Sequence, residues 1–157
     1  MGQGSCQPWR MTTQTHNHIE QTTRCDCGAI TLSVTGKIVS MFLCSCENCQ
    51  RATGGGHSSV ALFHHEALRT VGATKSYSRP ADSGATFTRH FCPECGTTVY
   101  AQSSRAPALR IVPVGIFAGH NDWFKPNQLI FERGHQAWDL IADHLPRHET
   151  YRPEASS

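Results

Sequence analysis

The residues best suited to chemistry in this chain are cysteines, and they are clustered. Three fall within FLCSCENCQRATGGG, at Cys44, Cys46 and Cys49, with Gly54, Gly55 and Gly56 close behind. Two pairs stand apart, Cys25 and Cys27 in CDCG and Cys92 and Cys95 in FCPECG, and Cys6 is alone near the N-terminus. In a compartment that keeps thiols reduced, such spacings speak for metal before disulfides. Each pair is followed at once by glycine, Gly28 or Gly96. In a metal knuckle the chain turns sharply so that backbone N–H groups face the sulfurs, and glycine tolerates the positive φ that such a turn often requires. Pro93 pre-sets the second turn. Two knuckles supply the four thiolates of a closed, structural zinc site. The rival is a disulfide set, in which Cys-x-Cys bridged to itself makes a strained ring.

The triplet then has no obvious fourth cysteine. A CxCxxC segment can wrap one ion with three sulfurs, and three protein ligands plus an open position is the catalytic pattern for zinc. Other readings stay open. One of the ten histidines could complete a second structural site. The triplet could hold part of an iron–sulfur cluster, although that usually wants a fourth cysteine. Cys46 and Cys49 could form a redox pair, although no βαβ pattern surrounds them. Gly54, Gly55 and Gly56 would let backbone approach a peptide-like ligand, and Arg51 could pair with a carboxylate; a plain loop and an exposed charge are the alternatives. Glu47 reads first as a solvated turn residue, and Trp123 and Trp138 as packing. Spacing alone does not promote His120 or Asp122.

The elements that must hold these thiols are short. Strand-like runs cover 29–34, 38–43, 58–63, 73–77, 86–91, 97–101, 109–115 and 128–131, with glycine or proline in most gaps. That pattern predicts one mainly β domain of short antiparallel strands with little helix. Helical pattern is confined to a turn near 47–52 and a short segment near 138–145, WDLIADHL. The polar stretch 1–21 reads as a disordered leader, 22–150 as the domain, and 151–157 as a frayed tail.

At 157 residues the chain fits one domain, and its 38% apolar and 17% charged content favours a fold helped by cross-links or metal. With a net charge of +2 nothing points to a nucleic-acid footprint, which would want a clustered basic face, and the balance permits a mild preference for an anionic small molecule. No segment has the length of a membrane span or the apolar region of a secretory signal. A soluble, cytoplasmic protein is the expectation.

The runs CDCGAITLSVTG, CSCENCQRATGG, FCPECGTTVY and VPVGIF, the last followed by spaced Trp, Pro, Ile and Trp, resemble the glutathione-dependent formaldehyde-activating enzyme family. That family also includes centromere protein V-like proteins. The likeness covers about residues 22–138. It implies a zinc-binding β-tent with two Zn²⁺ per chain: a structural ion on Cys25, Cys27, Cys92 and Cys95, and a catalytic one on Cys44, Cys46 and Cys49. It further implies a carbon–sulfur lyase-type enzyme that joins a small thiol such as glutathione to an aldehyde such as formaldehyde, giving S-hydroxymethylglutathione, or runs the reverse. Two positions depart from the pattern: Ser45, where the family often carries His, and Gln50, where Arg is frequent, although Arg51 follows. A non-catalytic, zinc-stabilised binding module is the competing reading. Its discriminating feature is a fourth protein ligand on the triplet metal.

Overall fold

The computed structural model describes residues 17–153. One long strand organises it: β2, Thr31–Cys44, where the sequence predicts two strands separated near Gly36. Gly36 does not turn the chain. An added Cβ there would lie 2.8 Å from the Ala67 Cβ, so the glycine marks a close approach inside a continuous strand. The first half of β2 pairs antiparallel with β1, His18–Arg24, and with β4, Leu68–Val71. Its second half pairs antiparallel with β3, Ser58–His64, and parallel with β9, Leu129–Ile130. From β3 the sheet runs on through β8 (Leu109–Pro113), β7 (Thr98–Ser103), β6 (Thr86–Phe91) and β5 (Lys75–Pro80), while β10 (Arg147–His148) flanks β9. The one described α-helix is α1, Glu47–Thr53. The domain is mainly β, as the strand spacing predicts.

Three sequence expectations are corrected. β1 begins at His18, so the end of the stretch read as leader is ladder, with Ile19 buried at 7% exposure; residues 1–16 lie outside the description. The segment 138–145 forms isolated turns, closed by Asp139 N–H to Gln136 O at 2.9 Å and Leu145 N–H to Ala142 O at 3.3 Å. Eight residues are too few to repay helix nucleation without an apolar face buried along their length, and Trp138 and Leu140 stay 66% and 93% exposed. Tyr151, placed in the tail by the sequence, packs edge-on against Phe131 with ring centres 4.9 Å apart; residues 154–157 lie outside the description.

Residues directly opposed across an antiparallel ladder share a face, and alternate residues of a strand do too. Register therefore sorts the sheet into two sides. One carries Met41, Ala61, Val112 and Phe63, the last three fully buried, and joins Leu32, Val34 and Phe117 in the main core. Trp123 packs edge-on against Phe63 and Phe117 there, at 6.5 and 5.6 Å, which makes it a core residue. The other side carries Cys44 and Phe42 on β2, then Val60 and Leu62 on β3. It continues through Ile111, Ala101 and Arg89 to Phe87 and Arg79. Most of these side chains are only half-buried. The triplet thus starts at the end of β2 on the less covered face.

Candidate metal centres

The two knuckles are near copies of one another. Gly28 N–H donates to Cys25 O at 2.9 Å, and Gly96 N–H to Cys92 O at 2.9 Å. Both glycines take positive φ, 81° and 78°, the left-handed region their place after the second cysteine predicts. Ile30 N–H points at Cys25 Sγ at 3.2 Å, and the Thr97 hydroxyl lies 3.2 Å from Cys95 Sγ. That hydroxyl, with the Thr97 and Cys27 N–H groups, pulls the Cys95 thiol down to about 6. The Asp26 N–H reaches Thr97 Oγ1 at 3.2 Å and ties one knuckle to the other.

All four sulfurs gather within 4.8 Å. Cys25 and Cys27 are 3.7 Å apart, as are Cys27 and Cys92. Zn–S bonds of about 2.3 Å in a tetrahedron put sulfurs about 3.8 Å apart, whereas a disulfide needs about 2.05 Å. The residues present therefore fit a tetrathiolate zinc site, and the described cysteines are free of disulfides.

The triplet is assembled by strand end and helix start. Cys44 closes β2 and is buried. Cys46 is the N-cap of α1, its sulfur accepting the Cys49 N–H at 3.4 Å. The three sulfurs lie within 4.8 Å of one another, and among the described residues no histidine, carboxylate or further thiol joins them. Phe42, Ile130, Phe131 and Tyr151 pack around them. The thiols of Cys44 and Cys49 hydrogen-bond to the Cys46 sulfur and, with the nearby Arg79 charge, pull it down to about 2. The same contacts push Cys44 up to about 12 and Cys49 up as well. A divalent ion must displace the remaining protons, so metal affinity is to fall with pH.

Ser45 and Gln50, where the chain departs from the family pattern, form a brace under this turn. Gln50 Nε2 donates to Ser45 O at 2.9 Å and to Gly134 O at 2.8 Å. Ser45 is fully buried and gives its N–H to Ile130 O at 3.1 Å. Gly134 sits so close that an added Cβ would lie 2.4 Å from Ser45 O. The triplet is thereby locked to the 3₁₀ turn Glu132–Gly134, whose N-cap Phe131 takes positive φ, 58°. Gln50→Leu should strand the Ser45 carbonyl and leave Gly134 O with Gln136 Nε2 alone, at 3.1 Å, and cost about 1–3 kcal/mol, visible as a melting point lower by several degrees. An unchanged melting point would show that the brace carries no load.

The glycine run has two structural roles. Gly54 is the left-handed C-cap of α1, φ 74°, its N–H on Gln50 O at 2.8 Å. Gly56 makes room for Asp139: an added Cβ would lie 2.4 Å from that carboxylate. Asp139 accepts or shares a proton with His57 Nδ1 at 2.7 Å. Gly55 has nothing but the Thr53 hydroxyl near its Cα. Arg51 stands exposed on α1, Nη2 3.2 Å from Glu47 Oε2, while His120 and Asp122 lie exposed on the loop after Phe117. What the sequence missed is Phe131, Tyr151, Arg79 and Arg89, which reach the triplet's side of the sheet only through strand register and the C-terminal return.

Comparison with known proteins places the fold and the family. A crystal structure of a Rhodobacter sphaeroides protein, 25% identical, superposes with a TM-score of 0.52 over 65% of this chain and 92% of that one. No curated protein matches. The family model for the glutathione-dependent formaldehyde-activating enzyme matches residues 20–134, a span that takes in both thiol clusters and the Ser45–Gly134 brace, and the chain belongs to that family.

Proposed function

We propose that the chain is a zinc-dependent, carbon–sulfur lyase-type enzyme that adds a small thiol such as glutathione to an aldehyde such as formaldehyde, or cleaves the adduct. The family supports glutathione-dependent formaldehyde activation as the class of activity. The observation that carries the reading is the contrast between the clusters: four sulfurs in one, three with no fourth protein donor among the described residues in the other. A purely structural role for both would call for a closed set in each.

Cys25, Cys27, Cys92 and Cys95 hold the structural ion, and Cys44, Cys46 and Cys49 hold the catalytic one. When bound at the triplet, zinc supplies the Lewis acidity that ionises a small thiol for addition to the aldehyde carbon. Phe42, Phe131 and Tyr151 keep water off one side of the sulfurs and so strengthen electrostatic interactions there. The Gln50 brace fixes the turn that presents them. Gly54 and Gly55 leave the near approach open. Arg51, in an exposed ion pair worth little, is available to a carboxylate arriving there. Among the described residues no helix is long and apolar enough to cross a membrane, and a thiol-rich metal protein of this kind suits the reducing cytoplasm.

The test is NMR exchange between glutathione, formaldehyde and S-hydroxymethylglutathione with zinc-loaded protein. Acceleration of about tenfold or more over the spontaneous rate is expected. No acceleration would remove this pair of substrates and favour the binding module.

A further inference from the structure

The less covered face of the sheet ends, opposite the triplet, in two arginines with no carboxylate partner. Arg79 stands across the ladder from Phe87, and Arg89 across from Tyr77, so the two are diagonal neighbours on one face, about 7–8 Å apart at their Cα atoms. Each lies against an aromatic ring: Arg79 is 4.7 Å from the Phe87 centroid and Arg89 5.9 Å from that of Phe91. Arg79 spends one N–H on Pro80 O at 3.1 Å. Arg89 Nε is buried with no hydrogen-bond partner. Neither meets an acidic side chain among the described residues, unlike Arg133, which is paired with Asp82, and Arg147, paired with Glu132.

Between the arginines and Cys44 the same face offers an apolar floor of Val60, Leu62, Ile111 and Ala101. Asp82, three residues after Arg79, pairs with Arg133, whose guanidinium lies 5.5 Å from the Phe131 centroid, so the end of β5 lies beside the wall of the triplet. A neighbouring cavity between the β5–β6 and β7–β8 turns is lined by Ser83, Gly84, Ala85, Ser104, Arg105 and Tyr151, and Tyr151 packs on Phe131 next to the sulfurs.

We propose that this face is the substrate cleft and that Arg79 and Arg89 bind a carboxylate of the incoming thiol while its sulfur meets the triplet. The inference rests on the thiol-adding function and adds what that function leaves open, selection of an acidic thiol over a neutral one. A planar guanidinium matches a carboxylate with two parallel hydrogen bonds. Raising both on aromatic rings limits competing hydration. A neutral thiol reaches the same sulfurs and gains nothing from this end.

The experiment uses S-methylglutathione, which keeps both carboxylates and has no thiol to ionise, and its dicarboxamide. Calorimetric titration into zinc-loaded protein should show the acid binding about tenfold or more tighter than the amide. In the Arg79→Gln, Arg89→Gln double variant the two should bind alike. Arg79→Lys with Arg89→Lys, which keeps the charges, should retain part of the preference even if the glutamine variant is poorly folded. Equal binding of acid and amide to the wild type, no saturable binding of the acid, or an undiminished preference in the folded double variant would overturn the assignment. Acceleration of the glutathione–formaldehyde exchange is followed in the same samples. A carboxylate preference without acceleration would retire the catalytic reading and leave the cleft standing.

Discussion

Cys95→Ser unfolds the domain under conditions where the wild type is stable. Cys92 is fully buried and Cys25 is 3% exposed, so this cluster is part of the main core. It joins the turn between β1 and β2 to the turn between β6 and β7, which the Asp26–Thr97 hydrogen bond also ties together. A structural zinc contributes about 10–16 kcal/mol in isolated metal knuckles, against about 5–15 kcal/mol for the whole stability of an ordinary domain. The metal term is as large as the entire margin. Removing one ligand forfeits most of it and leaves three thiols packed for an ion. The expected result is loss of the cooperative thermal transition, or a melting point lower by tens of degrees, with the same outcome when a strong chelator is added to the wild type. A Cys95→Ser protein melting within about 5 °C of wild type would show that the four thiols do not share a stabilising ion.

Cys46→Ser should do nearly the opposite: the fold survives and the chemistry stops. Cys46 is the N-cap of α1 and only partly buried. Serine is among the best N-cap residues, so α1 keeps its cap, and the Gln50 brace does not involve the Cys46 side chain. Two sulfurs are left where three had gathered. Metal analysis of the purified proteins should find about two zinc ions per wild-type chain and about one per variant, and glutathione–formaldehyde exchange should fall to its spontaneous rate. The melting point should move by only a few degrees. A variant that keeps both ions would show that the cysteines sort differently. One that loses a single ion but keeps full activity would remove the triplet from catalysis.

The asymmetry between these variants follows from where each cluster lies in the fold, and that was only partly legible beforehand. Cys-x-Cys-Gly and Cys-x-x-Cys-Gly announce knuckles because positive φ after the second ligand is a local requirement, met at Gly28 and Gly96. Short strands with turn residues between them announce a mainly β domain for the same local reason. Gly36 misled because it also serves for close packing; only the neighbouring Ala67 shows that the strand runs through. WDLIADHL has a helix-like composition, yet the turns of 136–145 and the Asp139–His57 pair hold it in another path. Glycines 54–56 read as a flexible run, and only the fold shows that Gly54 also ends a helix and Gly56 admits a carboxylate.

By itself, the sequence determined the division of seven thiols into four and three and the local turns that bring each group together. Those depend on residue type and on spacings of a few positions. Tertiary structure alone decided that Gln50 braces the triplet to Gly134, that Phe131 and Tyr151 wall it, and that Arg79 and Arg89 share a face with Cys44. These contacts join residues tens of positions apart. Strand register sets them, and a slip of one residue would send every such side chain to the opposite face.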